Sequence, residues 1–229
     1  AEYMAANLNS EIGDIDRLVI LIEECRRMGL EVLPPDVNGS QVDFVASKGQ
    51  IRMGMAAIRN VGRSAVEAIV AARDEGEPFE SLFDFCERVD LHAINRRCVE
   101  SLVKAGAFDC VPGFRAQVHA AVDRALDIAQ SAQTDRARGQ ISLFDSAEMQ
   151  TQAAMVSDRS LPEVLDWTER ERLGYEKDML GFYLSGHPMD RYKTDLAEMG
   201  MRSVSELEGL PAGAEVQIGG VVIEVKPHT

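Results

Sequence analysis

The chain has 229 residues, with 24 Lys+Arg against 38 Asp+Glu and a formal net charge of −14. Its 45% hydrophobic and 27% charged residues exclude a mainly disordered chain, and no run of about 18 apolar residues marks a membrane span. A pI near 4.7 excludes coating nucleic acid by bulk charge, so any such contact must be local, through a few basic residues or backbone amides.

Helices dominate the chain order. Residues 1–6 read as helix with no cap, and Asp14 caps a second that places Leu18, Leu21, Ile22 and Cys25 on one face. Gly29 ends it, and Pro34-Pro35 forbids a restart. Residues 42–45 and 51–53 flank Ser47-Lys48-Gly49-Gln50 as a small β-hairpin. A helix over 64–73 buries Val66, Ile69 and Val70. Ser81 and Asp84 form a capping pair before Leu82, Phe85, Cys86 and Val89. Further helices are predicted over 95–104 and 114–129.

From 130 to 163 the composition turns to Gln, Ser, Thr, Asp and Ala, the character of a linker. Helix returns at the capping box Thr168-x-x-Glu171, with Leu173, Glu176, Lys177, Leu180 and Leu184 on one face, and breaks at Ser185-Gly186-His187-Pro188. Residues 203–206 cap a short last turn. Residues 214–225 carry a strand signal with no partner strands after it, and both ends of the chain read as cuts in a longer protein.

Catalytic signatures are few. Asp14-Ile15-Asp16 has the look of a metal-holding carboxylate pair, but its place before an amphipathic helix makes it a cap. Cys86, His92, Cys98 and Cys110 fit no common zinc spacing, and reduced thiols are the default without a secretory leader. His187 lacks an Asp or Ser partner and reads as structural.

The segment Ile58-Arg59-Asn60-Val61-Gly62-Arg63-Ser64, between two helical stretches, looks like a helix-hairpin-helix motif. Amides at the start of the second helix can receive a phosphate, and the helix dipole favours it. Arg52, Arg59 and Arg63 bring positive charge with no acid between 51 and 63. Asn60 stands where the usual motif has its first glycine, and Gly62 is the second. The alternative is an ordinary packing corner. A second copy of the spacing, Leu102-Val103-Lys104-Ala105-Gly106, has Arg96, Arg97 and Lys104 around it. Two such hairpins can hold a duplex backbone without reading sequence; the alternative is that Gly106 is a helix C-cap. In the linker, Gln140-Ile141-Ser142-Leu143-Phe144 sets two large apolar residues in polar surroundings, as docking peptides do. Gln140 would hydrogen-bond in a polar notch, and Leu143 and Phe144 would fill an apolar pocket; the alternative is that both pack back on the helical domain.

Several stretches together resemble the family of bacterial DNA polymerase III alpha subunits. They include Ile22-Glu23-Glu24-Cys25-Arg26-Arg27-Met28-Gly29, Val32-Leu33-Pro34-Pro35-Asp36-Val37-Asn38, Lys104-Ala105-Gly106-Ala107-Phe108-Asp109 and Gly181-Phe182-Tyr183-Leu184-Ser185-Gly186-His187-Pro188. The resemblance implies a mainly α fold: the end of a fingers domain (1–38), a tandem helix-hairpin-helix domain with a small β-hairpin (39–130), a polar linker (131–163), a helical connector (164–210) and a truncated first strand of an OB-fold (211–229). It implies duplex-DNA contacts at Arg59, Asn60, Val61, Gly62, Arg63, Ser64, Lys104 and Gly106, and sliding-clamp binding at Gln140, Leu143 and Phe144. It further implies other replisome subunits as partners, a cytoplasmic setting, no membrane, and processive DNA synthesis by a parent polymerase that uses Mg²⁺. No catalytic residue or cofactor is expected in this stretch, which should not transfer nucleotides by itself. A structural connector within the replisome, or a piece of an error-prone relative, is the alternative. Processive DNA holding needs Arg52, Arg59, Arg63, Arg96, Arg97 and Lys104 on one face; a connector does not.

Overall fold

The computed structural model describes residues 1–137, 159–201, 207, 210–211 and 213–220. It is mainly helical, as expected, and divides into two compact units at Tyr183/Leu184. The division falls inside the stretch 164–210 that was expected to form one connector.

In the first unit, α1 (Glu2–Ser10) and α2 (Ile15–Arg27) open the chain. Asp14 caps α2 by accepting the Arg17 amide. Gly29, at φ +70, closes it in a Schellman motif, with the Leu30 amide donating to the Cys25 carbonyl. Then β1 (Val32–Leu33), β2 (Val45–Ser47) and β3 (Gln50–Arg52) form one sheet in the order β1-β3-β2. The hairpin is tighter than expected because Lys48 and Gly49 both take positive φ, as a two-residue type I′ turn requires, so the strands run right up to it. β1 adds in parallel to β3, with Val32 opposite Ile51. Two residues before a proline pair carry no periodic signal, and that strand was not expected.

After a 3₁₀ turn at Met55–Ala57 come α3 (Arg63–Asp74), α4 (Leu82–Arg88) and α5 (Arg96–Lys104). Ser81 caps α4 and Asn95 caps α5 through their side chains. The expected single helix over 114–129 is two, α6 (Arg115–Ala120) and α7 (Val122–Ala137). α7 also runs on into the stretch that composition assigned to the linker. It packs against α4, burying Val122, Ala125 and Ala129, while the Gln133 amide donates to the Val89 carbonyl. A tertiary partner thus extends a helix that its own polar residues do not announce. α8 (Glu169–Leu180) starts at the predicted capping box of Thr168 and Glu171 and packs on α5.

The core gathers Leu8, Leu18, Ile22, Ile51, Met55 and Phe85, all fully buried. Phe85 meets Phe79 and Phe108 edge-on, with centroids 5.0 and 4.9 Å away. In the second unit a 3₁₀ turn at Asp190–Tyr192 leads into α9 (Lys193–Glu198). Residues 214–220 pair with no strand among the described residues. The rest of the expected OB strand lies outside them, as do the expected turn at 203–206 and the docking peptide at 140–144. No helix among the described residues is long and apolar enough to cross a membrane.

Candidate nucleic-acid interface

The hairpin at 58–62 is a built turn. The Val61 amide donates to the Ile58 carbonyl at 3.1 Å, and both side chains are buried as anchors. Between them Asn60 stands at φ +66. That is the left-handed position of a type II turn, and asparagine tolerates it better than other non-glycine residues. Asn60 therefore keeps the geometry that the missing first glycine would supply. The turn is fixed to its surroundings at two points. The Arg59 amide donates to the Met179 carbonyl at 2.9 Å, near the end of α8. Asn60 Nδ2 donates to Ser101 Oγ at 3.2 Å, on α5.

Gly62 is the N-cap of α3, at φ −75 and ψ 153. Any residue adopts that backbone, and a Cβ added there would meet nothing closer than Ser64 Oγ at 4.0 Å. Neither backbone nor packing asks for glycine at 62. Glycine also leaves the helix start without a side-chain cap: the first intrahelical donor is the Val66 amide, and the Arg63 and Ser64 amides have no acceptor among the described residues. Gly62, Arg63 and Ser64 are exposed. The result is an open, electropositive helix terminus of the kind that accepts a phosphate oxygen.

Gly106 is a different glycine. It stands at φ +86 and is buried. Its amide donates to the Val103 carbonyl and the Ala107 amide to the Leu102 carbonyl, which closes α5 in a Schellman motif. A Cβ there would come within 2.4 Å of Arg115 Nη2. Arg115 is held by Asp109 through two hydrogen bonds, at 2.6 and 2.7 Å, and by Glu176 Oε1 at 2.8 Å. Burial alone would lower the pKa of Arg115, but Asp109 and Glu176 outweigh it and hold it above the ordinary value. Geometry and packing both demand glycine at 106, and the local amides are bonded within the chain. Of the two alternatives at this position, the C-cap accounts for the glycine.

The six basic side chains that DNA holding would need on one face have separate fates. Arg52 donates to the Pro34 carbonyl, and Arg63 pairs with Asp43 at 2.6 Å. That acid comes from the loop before β2, so the acid-free sequence window around Arg63 did not reveal it. Arg96 binds both Glu100 and Asp123, and these contacts, the Glu100 hydrogen bond first, raise its pKa. Lys104 lies 5.4 Å from the Tyr175 ring centre. Arg59 and Arg97 are exposed and have no ion pair among the described residues.

Beside Lys104, His119 packs edge-on to Trp167, with Nε2 buried and unpartnered. Burial first, then Lys104, lowers its pKa. Asp14 and Asp16 do not form a metal-holding pair: Asp14 is the cap of α2. Burial pushes the Cys86 thiol up to about 12 and the Cys98 thiol up to about 11. No group of His, Cys, Asp and Glu among the described residues is placed to hold a metal ion.

A family model described as the helix-hairpin-helix motif matches residues 29–118. The chain is 36% identical over 230 residues to the DNA polymerase III subunit alpha of Vibrio cholerae, covering all of this chain and 20% of that protein. It is 37% identical over 242 residues to the subunit of the same name from Pseudomonas aeruginosa, covering 99% and 20%. It is 36% identical over 229 residues to that from Saccharopolyspora erythraea, covering 97% and 19%. The chain spans about a fifth of the length of the curated relatives it matches.

Proposed function

We propose, from the premise that this chain is similar from end to end to a segment of the DNA polymerase III alpha subunit, that it holds the backbone of duplex DNA for a replicative polymerase. The observation that carries this is Gly62. The fold has no need of a glycine there, whereas a phosphate approaching the start of α3 does, because a side chain would stand between it and the amides. A phosphate oxygen would accept from the Arg63 and Ser64 amides, with the Arg59 guanidinium beside it. Such contacts fix position on the duplex and carry no sequence information.

The expected test is anisotropy with a labelled duplex over a range of salt. Gly62→Val costs under about 1 kcal/mol of stability, since the space at 62 accepts a side chain but valine is the poorer N-cap, and it weakens binding several-fold at temperatures where both chains are folded. Equal binding by Gly62→Val and the wild type would leave the segment a structural connector.

The pattern Gln140-x-x-Leu143-Phe144 supports a second element, an internal peptide that docks on the sliding clamp and makes synthesis processive. Replacing Leu143 and Phe144 by Ala should abolish binding to a bacterial clamp. Unchanged binding, or none by the intact chain, would remove that element. The nucleotidyl transfer of the parent, its Mg²⁺, its other replisome partners and a cytoplasmic location follow from the same premise, and no residue of this chain is assigned to the transfer.

A further inference from the structure

The placement of Arg97 points to more than one hairpin acting alone. We infer that α5 supplies a second phosphate-contacting cation, Arg97, to the hairpin at 58–62, and that the Asn60–Ser101 hydrogen bond holds the two in register. The inference rests on the duplex-backbone reading above and deepens it: one composite site spans two elements, in place of two equivalent hairpins.

Three observations carry it. Asn60 Nδ2 donates to Ser101 Oγ, so the tip of the hairpin lies against α5 at Ser101. Arg97 is four residues before Ser101, on the same side of that helix and about 6 Å further along its axis. Third, the basic neighbours of Arg97 on α5 are engaged, Arg96 by Glu100 and Asp123 and Lys104 by the Tyr175 ring, while Arg97 is exposed with no acidic partner among the described residues. In a chain of net charge −14, two exposed arginines have no ion pair among the described residues, Arg59 in the hairpin and Arg97 on the helix that the hairpin tip touches, and they are the cations left for an anion.

Asn60 then has two separable roles, the left-handed turn and the bridge to α5. Asn60→Gly keeps the turn and removes the bridge.

The experiment is duplex binding by the 229-residue chain from 50 to 200 mM salt, comparing wild type, Arg97→Ala, Arg97→Lys, Arg59→Ala and Asn60→Gly, each checked by thermal melt. Each phosphate contact contributes about 0.9 to the slope of log K against log salt, about 3.5-fold in affinity over that fourfold rise. The expected result is a slope shallower by about 0.9 for Arg97→Ala, recovered by Arg97→Lys, with the melt unchanged. Asn60→Gly should weaken binding while leaving Arg97→Ala with little further effect in the double variant. If Arg59→Ala flattens the slope and Arg97→Ala does not, the inference falls and the hairpin reading stands. If the wild type shows no salt-dependent binding, both fall.

Discussion

Replacing Gly106 by alanine tests the division of labour between the two glycines. At φ +86 an alanine pays a left-handed penalty of about 1–2 kcal/mol. Its Cβ would also sit 2.4 Å from Arg115 Nη2 and 2.7 Å from Cζ. An arginine tip usually swings aside cheaply, but this one is held by Asp109 on one side and by Glu176, 1% exposed, on the other. Moving it weakens a buried ion pair, and full rupture of such a pair costs about 3–5 kcal/mol. Partial displacement plus the backbone term gives about 2–4 kcal/mol in all. Urea unfolding measures it, and a cycle with Arg115→Ala separates the parts. With Arg115 already gone, Gly106→Ala should cost about 1–2 kcal/mol, the backbone term alone. An equal cost in both backgrounds would refute the steric argument, and a cost under about 1 kcal/mol in the wild type would refute the left-handed one as well. The salt slope for duplex binding should not change in Gly106→Ala; a shallower slope would return Gly106 to the phosphate surface.

Other outcomes follow from single contacts. His119 has a lowered pKa in the folded chain, so its stabilising effect is present above the unfolded value near 6.5 and is lost as pH falls through the lower folded value. The urea midpoint should therefore drop more between pH 8 and pH 5 in the wild type than in His119→Gln; equal drops would show that folding leaves the His119 pKa unshifted. Phe85→Ala removes a fully buried ring that meets two others edge-on and should cost about 3–5 kcal/mol by urea unfolding. Thr168→Ala removes the cap of α8, where the Thr168 hydroxyl accepts the Glu171 amide, and should cost about 1 kcal/mol; a loss under a few tenths would mean the cap is replaced by water at no net expense.

Local signals determined much of this protein from its sequence alone. The caps at Asp14, Ser81 and Thr168, the glycine stop at Gly29 and the turn at Lys48-Gly49 depend on a few adjacent residues and their backbone preferences, so they are legible without knowing what packs where. The hairpin at 58–62 was legible for the same reason, and Asn60 fulfils the left-handed requirement that made its identity look like a departure. Tertiary structure decided the rest. Two residues at β1 become a strand because β3 offers a parallel edge, and α7 outruns its composition because it packs on α4. Asp43 reaches Arg63, and Asp123 reaches Arg96, from distant parts of the chain, so counting charges in a window misjudged which cations are available. Gly62 and Gly106 look alike in sequence, since each ends a similar pentapeptide. They differ because one φ is negative with open space beyond it, while the other is positive with a pinned arginine against it, and those facts arise only when α6 and α8 close on the end of α5.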